Sequence, residues 1–152
     1  LGSQIDMFVD DAFGDIGTTQ MSRHFQGNFS YANRFGTVWP LDSRNPSYAN
    51  HVELKPEAMF NLRASSDDAG MAYLTAQRTG ATKYVRWRAT GPVIEGAYSY
   101  QLTIDMACKV ANVISMGDQD GIYQVTVPLF MAEDTDLGYP FRVQLQNAVA
   151  SL

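Results

Sequence analysis

Apolar and polar residues alternate along most of this chain. In "AYSYQLTIDMACKV", residues 97–110, Tyr98, Tyr100, Leu102, Ile104, Met106, Cys108 and Val110 share one phase, and Ser99, Gln101, Thr103, Asp105, Ala107 and Lys109 share the other. Period-two alternation puts one set on each face of a strand. The same pattern predicts strands in 21–35 (Met21, Phe25, Phe29, Tyr31, Phe35), 51–64 (Val52, Leu54, Ala58, Phe60, Leu62), 82–90 (Val85, Trp87, Ala89), 121–131 (Tyr123, Val125, Val127, Leu129, Met131) and 140–149 (Phe141, Val143, Leu145, Val149). Weaker strands are expected at Ile5–Val9 and around Gly36–Leu41, and Pro56 marks an edge or bulge in the 51–64 run. "TGP" at 90–92 reads as a break. "GDQDG" at 117–121 reads as a hairpin turn that would pair 97–110 with 121–131.

One segment has another period. In 65–80, Ser65 or Ser66 can cap a helix, with Asp67 and Asp68 in its first turn, Arg78 near its end and Gly80 just past it. Met71, Ala72, Leu74 and Ala76 form its short apolar face. So many half-apolar strands with one short helix near 66–79 predict a mainly β fold. The expected form is a two-sheet β-sandwich of long antiparallel strands, with a partly closed barrel as the other geometry. The 152 residues suit a single domain, 1–152, with 1–20 a flexible arm or the end of a truncated longer chain, and with "LGS" at the start a tag remnant or a cut within a longer protein.

The net charge of −5 argues against a general nucleic-acid-binding surface and against anionic membranes, and no apolar run is long enough for a helical span. The lone Cys108 lies on an apolar strand face and reads as a small buried hydrophobe. His24 and His51 have no Cys, Asp or Glu at metal-ligand spacing, and neither a nucleophile elbow nor a phosphate loop is present. "DQDG" has the start of a Ca²⁺ loop without its remaining ligands. No cofactor, metal or catalytic residue is therefore assigned. Trp39, Trp87 and the tyrosines leave a carbohydrate- or receptor-binding module as the alternative function, although Trp87 shares its face with Val85 and reads as core.

The C-terminal half, "YVRWRATGPVIEGAYSYQLTIDMACKVANV" followed by "DQDGIYQVTVPLFMAEDTDLGYPFRVQLQNAVASL", resembles the tail tube (major tail) proteins of long-tailed bacteriophages. The resemblance is carried by the order of amphipathic strands and loops, best over 83–152, and includes no catalytic motif. It implies a structural virion protein, made in the host cytoplasm. Copies of it would assemble into rings, usually hexameric, stacked into a tube beside other tail proteins. DNA would pass through without specific binding, along a wall that repels it by like charge. The polar strand face of Ser99, Gln101, Thr103 and Asp105 is then a candidate lumen or subunit-facing surface. The 51–64 strand competes, with Lys55 and Arg63 making it mixed in sign. The acidic loops at Asp10, Asp11, Asp118, Asp120, Asp134 and Asp136 are candidate inter-subunit contacts.

Overall fold

A computed structural model describes residues 4–32, 34–39, 41, 44, 47–54, 57–111 and 115–149. In chain order the strands are β1 (Ile5–Asp10), β2 (His24–Ala32), β3 (Phe35–Val38), β4 (Asn50–Glu53), β5 (Glu57–Ser65), β6 (Thr82–Glu95), β7 (Tyr98–Val110), β8 (Ser115–Gln119), β9 (Ile122–Met131) and β10 (Phe141–Gln146). Helix α1 (Asp68–Thr79) lies between β5 and β6. Eight strands join one antiparallel sheet, and β3 and β4 form a separate two-stranded sheet.

The large sheet changes direction at a corner. One side of β7 pairs with β6 along most of its length. The other side pairs with β10 through Gln101–Met106 and then with β9 through Cys108–Val110. Likewise β9 pairs with β8 through Ile122–Thr126 and with β7 only through Leu129–Met131. Two arms result, β1-β6-β7-β10 and β8-β9-β5-β2, joined where β7 meets β9. Their apolar faces meet in one core: Met7, Val85, Trp87, Ile104, Met106, Cys108 and Phe141 from the first arm, and Phe29, Phe60, Leu62, Ala64, Val125, Val127 and Leu129 from the second. The Phe29 and Phe141 rings pack edge to face with centroids 5.6 Å apart, tying β2 to β10 across the gap. The fold is mainly β, a sandwich joined along one corner, and no closed barrel forms among the described residues.

Local chemistry explains where the elements differ from the sequence pattern. The helix cap is Asp67, not Ser65 or Ser66. Ser65 is still the last residue of β5, whereas Asp67 is extended and its carboxylate accepts from the Gly70 N–H at 3.0 Å. Gly80 ends α1 in the left-handed conformation, as its position predicted. The buried stripe of α1 is Gly70, Tyr73 and Ala76; Met71 and Ala72 are exposed. The 51–64 run is two strands, β4 and β5, and Lys55 and Pro56 between them lie outside the described residues. Residues 90–92 do not end a strand, because β6 passes through them with a register shift between Thr90 and Val93. The partner of β7 in its hairpin is β6, across Gly96 at φ 57°. The 117–121 turn instead joins β9 to the short β8, with Asp120 and Gly121 both at positive φ. The run after β1 folds back on the Asp10 carboxylate, which accepts from Gly17 N at 2.8 Å, Thr18 Oγ1 at 3.0 Å and Thr19 N at 3.0 Å.

Candidate functional site

Strand register places Ser99, Gln101, Thr103 and Asp105 on the outer face of the first arm. Two cross-strand rows run over this face, Arg86–Asp105–Arg142 and Arg88–Thr103–Gln144. Asp105 is fully buried and accepts from Arg86 Nε at 2.6 Å, Arg86 Nη2 at 3.0 Å and Arg142 Nη2 at 2.7 Å. Burial alone pushes its carboxyl up. The hydrogen bonds and charges of the two guanidiniums more than offset that and hold it below the usual carboxylate range. Thr103 is buried as well, so the Asp105 carboxylate itself presents no charge outward, while the paired Arg86, Arg88 and Arg142 stay partly accessible. Towards the other end the face is neutral: Ser99 and Gln101 are half-buried, and Gln144 and Gln146 are exposed. Beyond Asp105, Phe13, Ile16 and Leu137 from two loops cover Tyr84 and Ala107.

The six loop carboxylates divide by their partners. Asp10 is buried and organises residues 17–19. Asp134 accepts from Asp136 N, Leu137 N and the Tyr84 hydroxyl, which closes the 134–138 turn and holds its carboxyl below the usual carboxylate range, the Leu137 bond most of all. Asp11 pairs with Lys83, and Asp118 accepts from Gly121 N. Asp11, Asp118, Asp120 and Asp136 are exposed. Among the described residues no group of three or more His, Cys, Asp and Glu side chains converges as a metal site, and no helix is long and apolar enough to cross a membrane. Cys108 lies in the core, where burial raises its thiol to about 12.

Among the described residues the far side of β10 is open in the first arm, since β10 pairs only with β7, and the two arms differ at their other edges. In the first arm the free side of β1 is closed by the chain itself: Phe8 bridges to Gln20, Val9 N donates to Thr19 O, and Met21 N donates to Met7 O. In the second arm β2 pairs only with β5 and β8 only with β9, so among the described residues both outer edges are open. Its outer face is mixed, with polar rows Gln26–Arg63–Thr126–Ser115 and Asn28–Asn61–Pro128 beside a row Ser30–Met59–Phe130–Lys109 in which Met59 and Phe130 are exposed. Gly27 lets β2 lie close on the core side, since a Cβ there would fall 2.9 Å from the Phe60 ring.

Between β2 and β5 the β3–β4 sheet carries large apolar side chains into solvent: Phe35 is 53% exposed, Trp39 65%, Tyr48 54% and Val52 51%. Such a patch marks a contact surface more often than a free one. The Trp39 and Tyr48 rings meet at an interplanar angle of 75°, which is not a flat platform for stacking a sugar. Trp87 packs against the core, as its strand phase predicted.

Two solved structures share this arrangement. The SPP1 tail tube, determined by solid-state NMR and cryo-EM, superposes with a TM-score of 0.58 over 86% of this chain and 74% of that one, at 8% identity. The chain has the tail tube fold. A doubly substituted form of the Hcp1 protein from E. coli EAEC 042 pathovar has a TM-score of 0.51, covering 93% of this chain and 97% of that one, at 11% identity. No family model and no curated protein matches the sequence. At such identities the tail tube fold is held by strand order and face pattern, with few residues in common. Sequence reasoning missed β8 and, although it expected strands around Gly36–Leu41 and in 51–64, did not set β3 and β4 apart as a separate exposed sheet. Exposed aromatics at Phe35, Trp39 and Tyr48 in one polar-flanked stretch were the available signal for that sheet.

Proposed function

We propose that this chain is a structural, non-catalytic subunit that assembles with copies of itself into rings stacked as a tube around a channel. The observation that carries the reading is the second arm, a four-stranded sheet whose two outer edges are unpaired among the described residues. An open edge is a template for another strand, and a soluble chain that leaves two open on one sheet gains by closing them. Pairing the β2 edge of one copy with the β8 edge of the next is a head-to-tail contact, which closes into a ring and removes both open edges of the second arm. The apolar β3–β4 sheet is then a contact for a copy in the adjacent ring. The exposed Asp118 and Asp120 at the β8–β9 turn and the Ser99–Gln101 patch meet neighbouring subunits. Six copies per ring and passage of DNA are finer parts of the proposal that rest on the sequence resemblance, and a place in a phage tail is supported also by the fold shared with the SPP1 tail tube.

Met116 on β8 is 63% exposed, so Met116→Lys puts a charge at the open edge with little effect on the monomer. In sedimentation velocity the unaltered chain is expected to form ring-sized and larger species as concentration rises, and Met116→Lys to stay small with an unchanged circular dichroism spectrum. Assembly unaffected by Met116→Lys, and also by a charge on the β2 edge, would exclude edge pairing as the ring contact.

A further inference from the structure

We infer that the outer face of the second arm is the channel wall of the assembled tube, and that Arg63 on this wall contacts the phosphate backbone of a nucleic acid passing through; this rests on the tube reading above. Two observations carry it. The first is how the layers are distributed. One face of β8-β9-β5-β2 is covered by the first arm and α1, and the other carries no further layer among the described residues. When such a sheet closes into a ring, the bulkier layer needs the larger circumference, so the bare face turns inward. The second is the charge on that face. Across its central rows stand Gln26, Asn28, Asn61, Thr126 and Ser115 with the cation Arg63, and the next row, Ser30–Met59–Phe130–Lys109, adds two exposed apolar side chains and a second cation. Acids lie only at the margins, Glu57 at one end and Asp118 and Asp120 in the turn at the other, with Asp120 sharing a shallow cleft with Arg63, Gln26 and Gln124.

Arg63 is exposed and makes no ion pair among the described residues, whereas Arg86, Arg88 and Arg142 of the first arm are each paired with an aspartate. A guanidinium in a bed of amides and hydroxyls presents its fork of donors to phosphate oxygens. One such contact is weak. Repeated once per subunit around every ring it becomes a multivalent collar for a polyanion. An unfolded polypeptide lacks the regular negative charge that this collar would match. The wall is therefore near-neutral with cationic rings, unlike the repelling acidic wall that the resemblance implied.

The test uses assembled full-length tubes, with electron microscopy of each variant reporting assembly separately. Because Cys108 is buried, Asn61→Cys supplies a single accessible thiol. Placed on the lumen wall, it reacts with a small maleimide and is protected from a bulky polyethylene-glycol maleimide in tubes, but not in Met116→Lys monomers. Co-sedimentation of a short single-stranded oligonucleotide across a salt series should show retention that weakens with salt, falls roughly tenfold in Arg63→Gln tubes and is lost in Arg63→Glu tubes. Equal reactivity of the tubes with the bulky reagent would place this face outside. Retention unchanged by Arg63→Glu in intact tubes, or absent in the unaltered tubes, would overturn the phosphate contact while leaving the tube standing. If the unaltered chain forms no tubes, this inference falls with the reading it rests on.

Discussion

Asp105→Asn should destabilise the subunit more than its place on a polar strand face suggests. The substitution keeps the shape but removes the charge that three hydrogen bonds from Arg86 and Arg142 address. Breaking one partner out of a buried ion pair typically costs about 3–5 kcal/mol, because the remaining charge stays buried without compensation. Here the Arg86 and Arg142 side chains are 23% and 34% exposed, so water recovers part of that cost and the lower end, about 3 kcal/mol, is expected. For a chain of this size that corresponds to a fall of roughly 6–12 °C in Tm. The assay is urea and thermal unfolding followed by circular dichroism, in the Met116→Lys background so that assembly does not shift the transition. A pH series adds an independent sign. The Asp105 carboxyl is depressed in the folded state, so its stabilisation is fully present above the unfolded value of about 3.9 and is lost as pH falls through the folded value. Stability of the unaltered chain should fall as pH drops below about 4, and that fall should be shallower in Asp105→Asn. A loss under about 1 kcal/mol with an unchanged acid limb would refute the buried triad.

Two further outcomes follow from the core. A Cβ at Gly70 would lie 2.0 Å from the Ser65 carbonyl oxygen, so Gly70→Ala must shift backbone at the β5–α1 junction despite alanine's better helix propensity; a cost of about 2 kcal/mol or more in urea unfolding is expected, and a neutral or stabilising result would contradict the close approach. The Cys108 thiol is buried and raised to about 12, so its reaction with a disulfide reagent at neutral pH should be limited by opening of the fold and should speed up with urea; fast labelling of the native chain would contradict its burial.

Alternation made the long strands legible, because one face of each is packed and the other is not. It gave β2, β5, β6, β7, β9 and β10 and the phase of Trp87 and Cys108 within them. The corner was not legible: β7 changes partner from β10 to β9 at Ala107 with no break in its alternation. Nor was the fate of Asp105. A polar phase says only that a side chain points away from the core, and loops can bury it there. Its partners are 19 and 37 residues away, and strand register alone brings them opposite. Their shared polar phase and opposite charges were the one available hint. Strand β8, with Gly117 and little alternation, carries no periodic signal and exists through its turn with β9. Of the candidate site, the open edges depend on pairing and can be read only from topology, whereas Arg63 and its strand face were visible as a competing surface.

The central claim is closure of the second arm into rings through the β2 and β8 edges. Cryo-electron microscopy of the concentrated full-length chain tests it most directly. The account predicts hollow tubes in which β8 of one subunit continues into β2 of the next around an unbroken sheet. Tubes joined by other surfaces, or compact monomers at every concentration and salt, would contradict it.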